Sequence, residues 1–246
     1  STETVGPRDP AVQYLMTGEV GTETALLQAR LVRPNPSAAD PAPGTAGSVR
    51  FELFPRNDPT RAVFSPWLSA EAETDRIVRY RAAGLEPGTH YRYRAHVGKT
   101  RERTRPTDGT ACFRTLEGSE RARHPVRFVV VTGMNYWFFH EGRYNPKTAY
   151  SGPDKNQGYP ALAAILRLEP DFFVGTGDNV YYDHPRGKRR ARTLTELRRK
   201  WHEQFAQPRF RKLFARVPTY WEKDDHDYRY NDADPLGTAP PSHELG

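Results

Sequence analysis

The chain has 246 residues, 36% of them hydrophobic and 12% aromatic, which is enough for one large core or two ordinary ones and excludes a disordered protein. Its 37 Lys and Arg against 30 Asp and Glu give a formal charge of +7, which suits anionic partners such as phosphate esters, nucleic acid or acidic surfaces without choosing among them. No apolar run approaches the ~18 residues of a membrane helix, and the single cysteine, Cys112, cannot form an internal disulfide.

Short alternating runs broken by Pro, Gly and Asp occupy the chain from residue 10 to about residue 117. The predicted strands are 11–16, 25–32, 49–54, 77–80, 90–97 and 112–116. Strands with this length and spacing are typical of an all-β sandwich, so we predict a first domain over 10–118. The Pro-, Ala- and Gly-rich connection 35–47 is predicted to be a long surface loop.

The segment AGLEPGTHYRYRAHV gives this domain its most specific pattern. Leu85 is predicted to enter the core at a turn set by Pro87 and Gly88, before Tyr91 and Tyr93 alternate along the next strand. The turn and strand resemble those of fibronectin type III-like modules.

Beyond a charged stretch near residue 120, the pattern changes to strand, helix, strand, helix, strand. The apolar runs 126–131, 171–175 and 217–221 predict strands, the first of them covered on both faces. Helical periodicity in GYPALAAILRLEP predicts a helix between the first two strands, and a capping box of Thr193 and Glu196 begins another helix before the third. We therefore predict an α/β domain with a mainly parallel sheet over 124–246.

Polar segments follow each predicted strand of this sheet: TGMNYW, GTGDNVYYD and EKDDHDYRYND. Ligands of open α/β sheets bind beyond the carboxyl ends of the strands. If the strands are neighbours, Asp178 and Asp225 meet, and two carboxylates repel each other unless they are protonated or bridged by a cation. Further ligands or neighbouring groups are available in Tyr181, Asp183, Asn135 and His226.

The type of oxygen ligand narrows the choice of cation. Carboxylates favour a hard cation, and a phenolate beside them favours ferric iron over zinc or magnesium. A single Asp after a strand is commonly a helix or turn cap, and an acidic run is commonly a solvated loop. The pairing of GD after one strand with DDHD after another is what indicates a metal site.

GDNVYYD and YWEKDDHDYRYNDAD resemble two motifs of the alkaline phosphatase D (PhoD-like) metallophosphoesterases, G-D-x-I/V-Y-x-D and W-D-D-H-D/E. That family joins an immunoglobulin- or fibronectin type III-like β domain to a calcineurin-like phosphoesterase domain, in the order predicted here. The resemblance implies a secreted or periplasmic enzyme that hydrolyses phosphate monoesters or diesters with a two-metal centre.

The resemblance also implies roles for individual residues. Asp178 would bridge two metal ions, and Tyr181 would bind ferric iron. Asp225 would hold the second ion, a divalent one such as Ca²⁺, Mn²⁺ or Zn²⁺. His226 would act as the catalytic acid towards the leaving group, oriented by Asp225 or Asp227.

Two departures from the family pattern matter. The family usually presents a cysteine iron ligand where this chain has Met134, and because a thioether binds ferric iron poorly, Asn135 is the candidate replacement. The family also supplies further histidine ligands, whereas only His243 follows His226 here. We expect the chain to be a fragment holding the N-terminal portion of the catalytic domain; the alternative is a fold relic that does not catalyse.

Three further features each allow two interpretations. YSGPDKNQG either places Lys155 near a substrate phosphate or forms a plain turn. The basic segment 186–200 either binds nucleic acid or another polyanion, or is a solvated loop and helix face. The aromatic run 136–139 either lines a pocket or packs in a core. Two functional alternatives thus stand beside hydrolysis: a non-catalytic protein that binds a surface polymer, and a nucleic-acid-binding protein.

Overall fold

The computed structural model describes residues 9–34, 40–119 and 125–246. The chain forms two compact units: the first contains the described residues up to Val126 together with Arg211–Pro218, and the second contains Arg127–Phe210 and Thr219–Gly246. The predicted domain boundary at 118–124 and the predicted loop 35–47 lie partly outside the described residues. No helix in the described ranges has the length and apolar character needed to cross a membrane.

In its described residues the first unit contains nine strands arranged in two antiparallel sheets. The strands are β1 (Ala11–Gly18), β2 (Thr24–Val32), β3 (Ser48–Pro55), β4 (Val63–Phe64), β5 (Leu68–Ser69), β6 (Ile77–Ala83), β7 (His90–Gly98), β8 (Thr104–Pro106) and β9 (Ala111–Arg114). One sheet has the order β1-β2-β6, and the other has the order β4-β3-β7-β8, with β5 on β3 and β9 on β7. The six predicted strands are all present, whereas β4, β5 and β8, of two or three residues, are too short for their alternation to be recognised.

Alternating side chains from both sheets build one hydrophobic core. Leu27 of β2 and Phe51 and Tyr93 of the opposite sheet are completely buried in it. Leu85 is also buried in this core, as its turn predicts, and the backbone N–H of Glu86 donates to the hydroxyl of Tyr91 at 2.9 Å. The pattern of apolar residues thus fixes which face of each strand is buried.

The second unit contains a three-stranded sheet with helices in its connections. Its elements, with the helix that links the units in sequence, are β10 (Phe128–Val131), α1 (Tyr136–Glu141), α2 (Pro160–Arg167), β11 (Phe172–Thr176), α3 (Leu194–Phe205), α4 (Pro208–Phe214), β12 (Thr219–Glu222) and α5 (Asp225–Tyr228). The strands are parallel, in the order β10-β11-β12. Helix α3 begins with the predicted capping box of Thr193 and Glu196. Strand β12 starts two residues later than predicted, because the backbone N–H of Val217 still donates to the carbonyl of Leu213 in helix α4 at 2.9 Å.

The prediction that the first strand of this sheet is covered on both faces is wrong. Phe128 and Val130 are 55% and 51% exposed, and the ring of Phe128 stacks on that of Phe172 at 5.1 Å. The opposite face is packed, since Phe173 is fully buried with its ring 5.5 Å from that of Trp221. An apolar run shows what a strand prefers to contact, but it does not show what covers each face.

Candidate metal centre

The candidate centre lies where the loops after β11 and β12 meet at the carboxyl edge of the parallel sheet. Gly177 makes the close approach possible: its φ is +90°, and a methyl group at its Cα would overlap the side chain of Asp224. Only glycine combines this backbone conformation with this contact. A glycine in the first loop therefore sets the spacing between the two acidic segments.

Asp178, Asp225 and His226 come together at this edge. One potential ligand atom from each of the three side chains lies within 4.8 Å of the others. His226 is buried, and the two aspartates are partly exposed. The structure thus brings together two side chains predicted as metal ligands and the histidine predicted as the catalytic acid.

Asp178 has the features expected of a carboxylate that binds a cation. Its backbone is in the left-handed region, with φ of +53°, which is an uncommon conformation for a non-glycine residue and one often found at functional sites. Its Oδ2 accepts a hydrogen bond from the hydroxyl of Tyr181 at 2.8 Å, whereas its buried Oδ1 has no partner among the described residues. Burial raises the pKa of Asp178, and the negative charge of Asp225 adds to this effect. A cation would satisfy the unpaired oxygen and remove the repulsion.

Tyr181 is held in the same cluster. Burial and the hydrogen bond to Asp178 raise the pKa of its phenol well above the ordinary value. The ring lies 4.3 Å from the imidazole of His226. The raised pKa means that the phenol holds its proton in this arrangement, and Tyr181 would have to lose that proton to bind a metal ion.

His226 is oriented by Asp183, which corrects the prediction that Asp225 or Asp227 does this. Its Nδ1–H donates to Oδ1 of Asp183 at 2.8 Å, so Nε2 is the nitrogen left for chemistry. Burial disfavours the charged imidazolium, but the hydrogen bond to Asp183 and the charges of Asp178 and Asp225 outweigh it and raise the pKa of His226. Burial likewise opposes the charge on Asp183, yet the bond from His226 holds the pKa of that carboxyl below its usual value.

Asp227 ties the two loops together, a role that the sequence did not predict. Its carboxylate is 1% exposed and accepts from the backbone N–H of Val180 at 2.7 Å, from the amide of Asn179 at 3.2 Å and from the backbone N–H of Asp224 at 3.3 Å. Asn179 and Val180 lie in the loop that carries Asp178, and Asp224 precedes Asp225 in the other loop. The last Asp of DDHD is the only sequence signal for it, and that pattern gives no indication of its partners.

Asn135 has a different role from the predicted ligand role. Its Oδ1 accepts from the backbone N–H of Phe138 at 2.9 Å and caps helix α1, and its Nδ2 contacts Nδ1 of His184 at 2.7 Å. Both ends of the carboxamide are therefore occupied. Met134, at the position of the family's cysteine, is buried, and its backbone N–H donates to the carbonyl of Asp178 at 2.9 Å. A residue that follows a strand is as well suited to cap the next helix as to bind a metal.

Lys155 lies in the turn that the second interpretation of its segment predicts. A short 3-10 helix covers Lys155–Gln157, and the ammonium donates to the carbonyl oxygen of His140 at 2.6 Å. One N–H of the lysine is thus used within the fold, and substrate binding by Lys155 stays a prediction.

Several cations of the basic segment are likewise engaged inside the unit. The guanidinium of Arg189 lies 4.6 Å from the ring centre of Trp137, and Lys200 donates to the carbonyl of His184 at 2.6 Å. Arg199 pairs with Glu203 one helical turn away at 3.0 Å. These contacts favour a structural role for part of the segment over a continuous polyanion-binding face.

No protein-family model and no curated protein matches the sequence. Among solved structures, the chain is similar to PhoD, with a TM-score of 0.70 and 19% identity over 95% of this chain and 42% of that one. It is also similar to purple acid phosphatase PPD1 from yellow lupin (Lupinus luteus) seeds, with a TM-score of 0.58 and 14% identity over 96% of this chain and 39% of that one. The predicted resemblance to PhoD is confirmed at the level of the fold, and the chain spans less than half the length of either structure.

Proposed function

We propose that the chain forms part of a metal-dependent phosphoesterase related to PhoD, with Asp178, Tyr181 and Asp225 as metal ligands. The observation that carries this proposal is the cluster of Asp178, Asp225 and His226 within 4.8 Å, in which one buried carboxylate oxygen has no partner among the described residues. The fold shared with two phosphatase structures supports it. The substrate class is a phosphate monoester or diester.

The ligands suit two cations, ferric iron and a divalent ion. The phenol of Tyr181 beside a carboxylate favours Fe³⁺, and Asp225 suits Ca²⁺, Mn²⁺ or Zn²⁺. When bound, such a pair of cations neutralises charge on the phosphoryl group and supplies a nucleophile from water. Asp178 would hold both ions, because its Oδ2 faces Tyr181 and its buried Oδ1 has no partner among the described residues.

His226 supplies the proton for the leaving group. Its Nδ1–H is fixed on Asp183, so the imidazolium offers the Nε2 proton to the departing ester oxygen. In the metal-free protein the hydrogen bond to Asp183 and the nearby carboxylates raise the pKa of His226 against the opposing effect of burial. Buried Asp183 keeps the ring in one orientation and stabilises its charge.

The domain organisation and the localisation of the protein also follow the family that it resembles. The two-sheet topology of the first unit supports an immunoglobulin- or fibronectin type III-like domain over 10–118, preceding a partial catalytic domain over 124–246. We also propose that the protein is secreted or periplasmic, like the family it resembles.

A visible absorption band tests the iron part of the proposal. Adding Fe³⁺ should give a purple or brown tyrosinate colour, and Tyr181→Phe should abolish it. Tyr144→Phe is the matched control, because Tyr144 is 78% exposed. A colourless iron-loaded wild type, or equal colour in Tyr181→Phe, would remove the tyrosine ligand and with it the ferric site.

A further inference from the structure

A buried glutamine of helix α3 joins two of the loops at the carboxyl edge of the parallel sheet. Gln204 is 0% exposed, and its Nε2 donates to the backbone carbonyl of Met134 at 2.9 Å and to that of Asn179 at 2.6 Å. Met134 follows strand β10, whereas Asn179 follows strand β11 and comes directly after Asp178. One carboxamide nitrogen therefore bridges two loops that are far apart in the sequence.

The partners of this carboxamide leave it one orientation. Carbonyl oxygens accept hydrogen bonds and cannot donate them, so the two backbone carbonyls must face the NH₂ group of Gln204. On the other side, its Oε1 accepts from the hydroxyl of Tyr159 and from Nε2 of Gln207, each at 3.0 Å. Both ends of the carboxamide are thus occupied, as a polar group without access to water requires.

The two loops are also bonded directly to each other. The backbone N–H of Met134 donates to the carbonyl of Asp178 at 2.9 Å. Gln204 therefore binds both the residue that contacts the backbone of Asp178 and the residue that follows Asp178 in the chain. The backbone around this proposed metal ligand is held by a side chain from a third element, helix α3.

Asp178 needs such support because its own backbone conformation is unfavourable. With φ of +53°, a non-glycine residue keeps this conformation only where the surrounding contacts impose it. Asp227 binds the amide of Asn179 and the backbone N–H of Val180, and Gln204 binds the carbonyl of Asn179. A metal ligand must be held to within about 0.5 Å of its productive position, so these contacts bear directly on cation binding.

We infer that Gln204 is a positioning residue of the metal centre, which fixes the backbone of Asp178 so that its carboxylate faces the cation. The inference rests on the proposed function, because an effect on cation binding requires Asp178 to be a ligand. Gln204 does not contact the cation itself, since both ends of its carboxamide are occupied.

Gln204→Met tests the inference, because methionine fills a similar volume without donating to the two carbonyls. Gln207→Met is the matched control: Gln207 is 6% exposed and its Nε2 donates to Oε1 and to the backbone carbonyl of Gln204, each at 3.0 Å. The control thus removes the hydrogen bonds of a buried glutamine but leaves those to Met134 and Asn179 in place. Isothermal titration of Mn²⁺ into the metal-free proteins should show affinity about 10- to 100-fold below wild type for Gln204→Met and unchanged affinity for Gln207→Met.

Amide hydrogen exchange in the metal-free protein measures the positioning without any cation. In Gln204→Met the N–H of Met134, which donates to Asp178, should exchange about 5- to 10-fold faster relative to the N–H groups of β11. In Gln207→Met this ratio should not change. Should Gln204→Met not fold, Gln204→Asn replaces it with the same expectations, because its side chain is one methylene too short to reach both carbonyls.

The two measurements separate the inference from the proposed function. Wild-type cation affinity in Gln204→Met, equal losses in the two glutamine variants, or unchanged exchange of the Met134 N–H would each overturn the inference and leave the proposed function standing. If the wild type binds no cation, the proposed function fails, and faster exchange in Gln204→Met would then show a contact that serves the fold alone.

Discussion

Oδ1 of Asp183 lies 2.8 Å from Nδ1 of His226, although 43 residues separate them in the chain. The pair joins the loop after β11 to helix α5 after β12, and both side chains are buried. The hydrogen bond occupies Nδ1 of the histidine and leaves Nε2 available for proton transfer. This arrangement is what the proton-donor role of His226 requires.

Replacing this carboxylate should change the titration of His226. In Asp183→Asn the histidine loses a negatively charged acceptor, so its pKa should fall from the raised value of the wild type. The pH dependence of the His226 Hε1 chemical shift in the metal-free protein measures this directly. The same substitution at exposed Asp108 in the first unit should leave the titration curve unchanged. An unchanged curve in Asp183→Asn would show that Asp183 and His226 do not interact.

Gly177 should be essential for the approach of the two loops. Gly177→Ala combines a left-handed backbone with an overlap against Asp224, so it should destabilise the protein by about 2–4 kcal/mol. Gly187→Ala is the matched control, because Gly187 has φ of +74° but no atom near the added methyl group, and it should cost only about 1 kcal/mol. Denaturant unfolding of both variants measures the difference, and equal losses would show that the approach to Asp224 is unimportant.

Asp227 should stabilise the site without binding metal. Asp227→Asn keeps one acceptor oxygen for three donors, and its new amide group points an N–H at one or more of these donors. The change should cost about 1–3 kcal/mol of unfolding free energy. Cation affinity should fall as well, because the loops that carry Asp178 and Asp225 are no longer held together. Asp108→Asn makes the same chemical change on an exposed carboxylate of the first unit and should affect neither quantity.

The acid sensitivity of the first unit should depend on Glu52. Hydrogen bonds from Arg94, at 2.6 and 2.9 Å, lower the pKa of this carboxyl against the opposing effect of burial, and His96 contributes at 2.6 Å. A depressed pKa in the folded state means that the stabilisation is present above the unfolded value of ~4.3 and is lost as the pH falls through the folded value.

Glu52→Gln should therefore destabilise the protein at pH ~7 by about 1–3 kcal/mol, and the difference from wild type should shrink as the pH falls below ~4. Urea unfolding across this pH range is the measurement. Glu71→Gln, at an exposed carboxylate, is the control and should show a small difference that does not vary with pH. A Glu52→Gln deficit that stays constant down to acid pH would contradict the role of the ion pair.

Local pattern was sufficient to predict the strands of four or more residues, helices α2 and α3, and the approach of Asp178 to Asp225. Alternation identified the strands of the first unit, and a capping box identified the start of α3. Because the carboxyl ends of parallel strands share one edge, two motifs 47 positions apart could be expected to meet.

The contacts that orient the site could not be predicted in the same way. Asp183, rather than Asp225 or Asp227, orients His226, because the partner of a buried side chain depends on loop conformation and not on proximity in sequence. Asn135 caps a helix for the same reason: its carboxamide satisfies whichever donors the turn presents. Whether a face of β10 is covered depends on the neighbouring elements of the fold, and the sequence of the strand does not specify them.

Cation binding by the two aspartates is the most direct test of the central claim. Isothermal titration of Mn²⁺ or Fe³⁺ into the metal-free protein should show binding that Asp178→Asn and Asp225→Asn each abolish, since each removes a charged ligand from the cluster. His226→Ala should retain the metal and, where turnover is measurable, slow it by about 10²- to 10⁴-fold through loss of the proton donor. Unchanged cation affinity in either aspartate variant would contradict a metal centre at this edge of the sheet.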